Sequence, residues 1–170
     1  AWDARLHLRE QVSQPLALPE INLSHLRPLT DDTGILQHAV FGIPDRYHGY
    51  STDDNARAVM IAVMNWKLFE DESLLPLLYT YLSFLSHALN RENGHIRNFM
   101  SYDRRWLEEV GSEDSHGRTL WALGITVAYP PTDSILALAA RMFEESVRSC
   151  TSFTSPRVWA YVILGCLAYL

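Results

Sequence analysis

Two short stretches of this chain carry the side chains best able to do chemistry. GYSTDDNARA, residues 49–58, sets two adjacent acids, an amide and an arginine within ten positions. GSEDSHGRTL, residues 111–120, puts Ser, Asp and Arg in the same relative places sixty-one positions later. In that alignment Asp54 falls on Ser115 and Glu113 falls on Thr52, so each copy holds one acid that the other lacks. Two carboxylates on converging helix starts are what glycosidic cleavage requires. One protonates the leaving oxygen, and the other activates water or attacks directly. Asp54 and Glu113 are therefore the candidate acid–base pair. The competing reading of each is a solvated first-turn acid favoured by the helix dipole.

The shared positions have a structural explanation. Ser and Asp at a helix start satisfy free N–H groups, each worth about 1 kcal/mol. Asp53 with Arg57 and Asp114 with Arg118 are i,i+4 pairs worth a few tenths of a kcal/mol. An arginine in the second turn is harder to explain, because the positive end of the dipole disfavours it. Such an arginine suits a ligand oxygen or a carboxylate on a neighbouring helix. Around the two stretches, His48, Tyr50, Asp53, Arg57, Asp114, His116 and Arg118 are candidates for positioning a substrate.

Asn98, Tyr102, Asp103, Arg104 and Trp106 join them from the segment between Asn90 and Ser112. It runs for about twenty residues without a helical stripe, and connections that long are often functional. Tyr47 and Phe99 add further flat faces, the kind on which sugar rings rest. Glu108 and Glu109 follow Trp106 as further candidate acids, with a solvent-facing pair as the competing reading. His48, His95 and His116 flank the motifs, but no pair has the HExxH spacing of a metal site. There is no glycine-rich phosphate loop and no G-x-S-x-G elbow, so neither a metal nor a cofactor is expected.

The elements that must position these groups read as helices. Ile35, Leu36, Ala39 and Val40 suggest one short helix, ended by Gly42 and Pro44. Ala56, Val59, Met60, Val63 and Met64 follow the i, i+3, i+4, i+7 template. Leu74 to Leu89 carry a third stripe, and a fourth helix is expected from about Asp114 to Val127. Thr132 or Asp133 caps a fifth, and Ser155 with Pro156 begins a sixth. Strand alternation is suggested only over residues 95–102. A weaker third copy of the motif runs over residues 151–157, keeping a hydroxyl and Arg157 but no acid. Repeated helix starts predict an all-α chain of hairpins with the polar residues on one face. Residues 1–29, with Pro15, Pro19 and Pro28, read as an extended lead-in or linker, and residues 30–170 as the hairpin domain.

GYSTDDNARA together with FMSYDRRWLEEVGSEDSHGRTLWALG, residues 99–124, resembles the α-helical domain of bacterial group 1 glycosyltransferase proteins and six-hairpin-glycosidase-like proteins. The resemblance spans roughly residues 30–170. It implies an (α/α) toroid, of which about three hairpins are present, and carbohydrate chemistry, often beside a glycosyltransferase or a mannoside-phosphorylase-type partner. It assigns no catalytic residues. A full toroid has six hairpins, so a fragment or a half-ring completed by a second chain is expected.

Bulk properties narrow the classes. Of 170 residues, 48% are hydrophobic and 20% charged, which is a globular composition. A net charge of −6 and a pI near 5.6 exclude a basic nucleic-acid face, and no polybasic cluster suits a membrane surface. The longest apolar run, VWAYVILGCLAYL, falls short of the roughly 20 residues that span a bilayer. AWDARLHLREQ lacks the layout of a signal peptide. Cys150 and Cys166 suggest neither a disulfide framework nor a zinc site. The expectation is a cytoplasmic, carbohydrate-active domain acting on glycosidic bonds and binding an oligosaccharide or sugar. The alternatives are a non-catalytic glycan-binding or glycosyltransferase-associated module, and a toroidal sugar epimerase or isomerase with His48 or His116 as base.

Overall fold

The computed structural model describes residues 21–170, so Pro15 and Pro19 of the expected lead-in lie outside the described residues. The chain runs from a short helix α1 (Leu26–Leu29) into the hairpin β1 (Leu36–Val40) and β2 (Ile43–Ser51), then helix α2 (Thr52–Phe69). Helix α3 (Leu75–Ala88) follows, then strands β3 (Leu89–Asn90), β4 (His95–Ile96) and β5 (Phe99–Met100), then helices α4 (Glu113–Ala128), α5 (Asp133–Ser146) and α6 (Pro156–Tyr169).

Helix makes up 59% and strand 15% of the described residues, in six helices and two small antiparallel sheets. The expectation of an all-α toroid of hairpins is therefore corrected to a mixed α/β chain. The correction originates in residues 35–51. Ile35 and Leu36 do enter the core, but Val40 and Ile43 are exposed. The apolar spacing that suggested a helix face does not face one side. Phe41 and Gly42 both have positive φ, 50° and 84°, which is the backbone of a two-residue hairpin turn. Gly42 thus turns a strand pair where a helix stop was expected.

Val40 pairs with Ile43 and His38 with Asp45, and β2 pairs on its other side with β5, Tyr50 against Met100. Gly49 sits in this sheet at φ 65°, and a Cβ there would lie 2.3 Å from the Met100 carbonyl oxygen. Only glycine fits both conditions. The alternation suspected over residues 95–102 forms as the separate pieces β4 and β5, with β4 paired to β3.

The remaining helices follow local capping chemistry. Ser51, Ser112 and Thr132 accept N–H bonds from Asp54, Ser115 and Ile135, which fixes the starts of α2, α4 and α5. Proline begins α6 at its first turn. Helix α4 packs between α2 and α6, while α3 covers α2 and α5 covers α4. Val59, Val63, Leu82, Leu85, Leu120, Leu123 and Met142 fill the shared core.

The approach of α4 to α6 is backbone on backbone. A Cβ on Gly124 would lie 2.2 Å from the Gly165 oxygen, and a Cβ on Gly165 would lie 2.7 Å from the Leu120 oxygen. With α2, α4 and α6 side by side, their N-termini share one rim.

Candidate functional site

The charged side chains at that rim are placed by helix starts. Ser51 caps α2: its oxygen accepts the Asp54 N–H at 3.1 Å, and its hydroxyl donates to the Asp54 carboxylate. The next free N–H groups of α2 are taken by the connection before α4. Asn98 accepts the Thr52 N–H on its carbonyl at 2.8 Å and the Asp53 N–H on its side-chain oxygen at 3.2 Å. Thr52 donates its hydroxyl to the Arg97 carbonyl at 2.6 Å. The same connection is closed on itself by Glu108, which accepts from the Asn98 and Phe99 N–H groups, and by Glu109, which holds Arg97 at 2.7 Å. Both acids therefore bind back onto the segment, Glu108 through backbone N–H groups and Glu109 from the surface through Arg97.

Across the rim the repeat interlocks. Arg118 of α4 reaches past its own Asp114 to Asp53 of α2, with Nη1 2.7 and 2.9 Å from the two oxygens. Arg57 approaches Asp53 at 2.8 Å and Asp54 at 3.2 Å. Asp114 is held in turn by Arg157 of α6. The expected Asp53–Arg57 pair forms, but Asp114 and Arg118 take partners on neighbouring helices. Arg118 is only 10% exposed, whereas Arg57 and Arg157 are 51% and 66% exposed. Burial raises the Asp53 carboxyl above the ordinary aspartate value. The neighbouring Asp54 and Asp114 charges add to that rise, and Arg118 and Arg57 oppose it.

These groups line a cleft of about 350 Å³ bordered by Gln37, Ser51, Asp53, Asp54, Arg57, Asn98, Phe99, Ser112, Asp114, Arg118 and Arg157. Seven of the residues expected from sequence meet there: Asp53, Asp54, Arg57, Asn98, Phe99, Asp114 and Arg118. Glu113 does not. Its carboxylate accepts the Thr154 N–H at 3.0 Å and the Ser155 N–H at 3.1 Å, and so holds the segment that leads into α6.

The other expected residues also serve elsewhere. His48 lies on β2 beside His38 and Asp45. Tyr50 is buried, donates to Asp31 at 2.6 Å and stacks on Tyr102, whose hydroxyl accepts from Arg46. Asp103 pairs with Arg105 and Ser101, and Arg104 reaches Asp32 at 2.6 Å. Trp106 packs on Phe84 and donates toward His87. His116 is 2% exposed, with Nε2 3.1 Å from the Ser146 carbonyl and Nδ1 without a partner. Burial lowers its pKa to about 4.

Three cleft residues were not assigned a role from sequence. Gln37 was hidden by the helical reading of β1. Ser112 was read as a cap alone. Arg157 was read in a different register. Ser155 is the N-cap of α6, so Arg157 occupies the position of Asp53 and Asp114, and Tyr161 occupies that of Arg118. Tyr161 still belongs to the network, accepting from Arg118 Nη2 at 3.0 Å.

Among the described residues no group of three His, Cys, Asp or Glu side chains is arranged to hold a metal ion, and no helix is long and apolar enough to cross a membrane. Cys150 and Cys166 are both free. No protein-family model matches the chain, and no curated protein matches it.

Proposed function

We propose that the cleft at the joined starts of α2, α4 and α6 binds a carbohydrate and that this chain acts on glycosidic bonds. One observation carries the reading: three carboxylates, three guanidiniums, the amides of Gln37 and Asn98 and the half-exposed ring of Phe99 border a single open cleft. Vicinal sugar hydroxyls are at once donors and acceptors. Carboxylates accept from these hydroxyls and guanidiniums donate to them, while a flat ring receives the apolar face of the sugar. In this reading Asp53 with the buried Arg118 is scaffold. Asp54 and Asp114 are the reacting carboxylates, because their partners Arg57 and Arg157 are the exposed ones that a ligand displaces. One donates the proton to the leaving oxygen and the other activates water. Glu113, occupied with backbone N–H groups, takes no part.

The test is turnover of an oligosaccharide panel by the wild type and by Asp54→Asn, Asp114→Asn and Glu113→Gln. The first two should each lose about 10²–10⁴-fold in rate while unfolding like the wild type, and Glu113→Gln should keep its rate. Wild-type turnover in both aspartate variants overturns the assignment. A second reading is a non-catalytic glycan-binding module. It is favoured by the observation that every carboxylate in the cleft already holds an arginine. It predicts saturable sugar binding by calorimetry, lost in Asp54→Asn, with no product released.

A further inference from the structure

The row α2, α4, α6 is built from two kinds of helix side, and among the described residues each kind is left open to solvent once, the α2 side bordered at its rim end by α1 and β1. The side of α4 that meets α2 is marked at both ends, by Arg118 on Asp53 and by Tyr129 under the Lys67 ammonium at 3.4 Å. Ala122 and Ile125 lie between them on the same stripe, packed into the core. Counted from the cap, with Ser51 matching Ser112, the same positions of α2 are Arg57, Ile61, Met64 and Leu68. All four are exposed, Leu68 at 62%.

The side of α4 that meets α6 is marked by Gly117 against Val158 and by Leu120 and Gly124 against Gly165. With Ser155 matching Ser112, those positions of α6 are Ala160, Ile163 and Leu167. They too are exposed, Leu167 at 67%. Each internal joint sets the second kind of side against the first. A row open at one end with the first and at the other with the second is complementary to itself.

We infer that this chain associates head to tail with a second copy, the Ile163–Leu167 side of α6 seating on the Ile61–Met64–Leu68 side of the second copy's α2. Complementary unlike faces make a heterologous joint, and two copies form a closed pair where the rotation allows both joints at once. Below the rim, where Arg57 and Arg157 stand, the new joint is apolar. At the rim it lacks the ion pair of the α2–α4 joint, because Arg157 stands in α6 where Asp53 stands in α2. Arg157 keeps Asp114, and the second copy's Arg57 keeps Asp53 and Asp54, so no unneutralised like charges meet. The area removed from water is aliphatic, which drives association without dependence on salt. This inference does not rest on the carbohydrate reading.

The experiment is sedimentation or light-scattering mass from about 1 to 100 µM, a range that spans typical weak homodimers. It uses the wild type, Leu167→Asp, Met64→Asp and an equimolar mixture of the two variants. The wild type should double in mass with concentration, unchanged by added salt. Each variant alone should weaken association at least about tenfold, as a charge in an apolar joint does. Both variants should unfold like the wild type, since both side chains are at the surface.

The mixture should regain association, because one intact α6 side then meets one intact α2 side. A monomer throughout the range overturns the inference, and so does a dimer indifferent to either substitution. A dimer lost in Leu167→Asp but retained in Met64→Asp would mean that α6 pairs with α6, which overturns it equally.

Discussion

Acidifying this protein should cost stability through one side chain, His116. Its imidazole is held neutral in the core between Phe153 and the Ser146 carbonyl, with Nδ1 facing no partner and the His95 ring 5.9 Å away, edge-on. The native pKa is about 4 against 6.5 in the unfolded chain. A depressed value means that the unfolded state takes the proton first, so stability is retained above pH 6.5 and lost as pH falls toward 4. The difference of two and a half units corresponds to a loss of about 2 kcal/mol by pH 5 and about 3 kcal/mol by pH 4.

Other groups titrate in the same window, so the assay compares two proteins. His116→Gln keeps an N–H for the Ser146 carbonyl and cannot be protonated. Urea unfolding of both between pH 7 and 4 should show the wild type falling more steeply, with the gap between the curves closing by about 3 kcal/mol at pH 4. Parallel pH profiles would refute the argument that burial sets this histidine's charge.

Two further outcomes follow from contacts between helices. Gly124→Ala places a methyl group against the Gly165 backbone, which cannot move aside as a side chain can, so denaturant unfolding should show a loss of about 1–3 kcal/mol. Equal stability would mean that α4 and α6 slide apart at no cost. Arg118→Ala leaves the Asp53 carboxylate largely enclosed with only Arg57, and should cost about 2 kcal/mol. In a double-mutant cycle with Asp53→Asn, the second substitution should add little once the first is made. Fully additive losses would show that the two side chains act separately.

The parts of the fold legible in the sequence were those decided within one turn of chain. Ser51, Ser112 and Thr132 are caps because their hydroxyls meet N–H groups three residues on. That geometry needs nothing from the rest of the molecule. The hairpin β1–β2 was misread for the opposite reason. Four residues with apolar side chains at helical spacing suit either state, and what decides is pairing. Phe41 and Gly42 reverse the chain, β2 returns alongside, and β5, arriving from fifty residues later, satisfies its other edge. The exposed Val40, Phe41 and Ile43 are the cost of that arrangement, and no pattern counted along the helix period anticipates it.

The acids divide for a similar reason, and of the two expected to react only Glu113 lies outside the cleft. Asp54 and Glu113 looked spare because the repeat did not share them. Glu113 is taken up by the backbone entering α6, while Asp54 meets the hydroxyl of its own cap and still borders the cleft. Asp53 and Asp114, shared and seemingly explained by i,i+4 pairs, gain partners from the next helix, Asp53 beside its own Arg57 and Asp114 in place of its own Arg118. A first-turn carboxylate is satisfied equally well by an arginine four residues on or by one across the rim. Here Asp53 is shared between the buried Arg118 and its own Arg57, and Asp114, with Arg118 drawn across to α2, takes Arg157 of α6.

This also resolves the arginine that the dipole disfavours. A cation in the second turn of α4 is tolerated because an aspartate of α2 stands opposite it. The pairing that carries the repeat from one helix to the next is therefore the same one that draws three carboxylates to the edge of a single cleft.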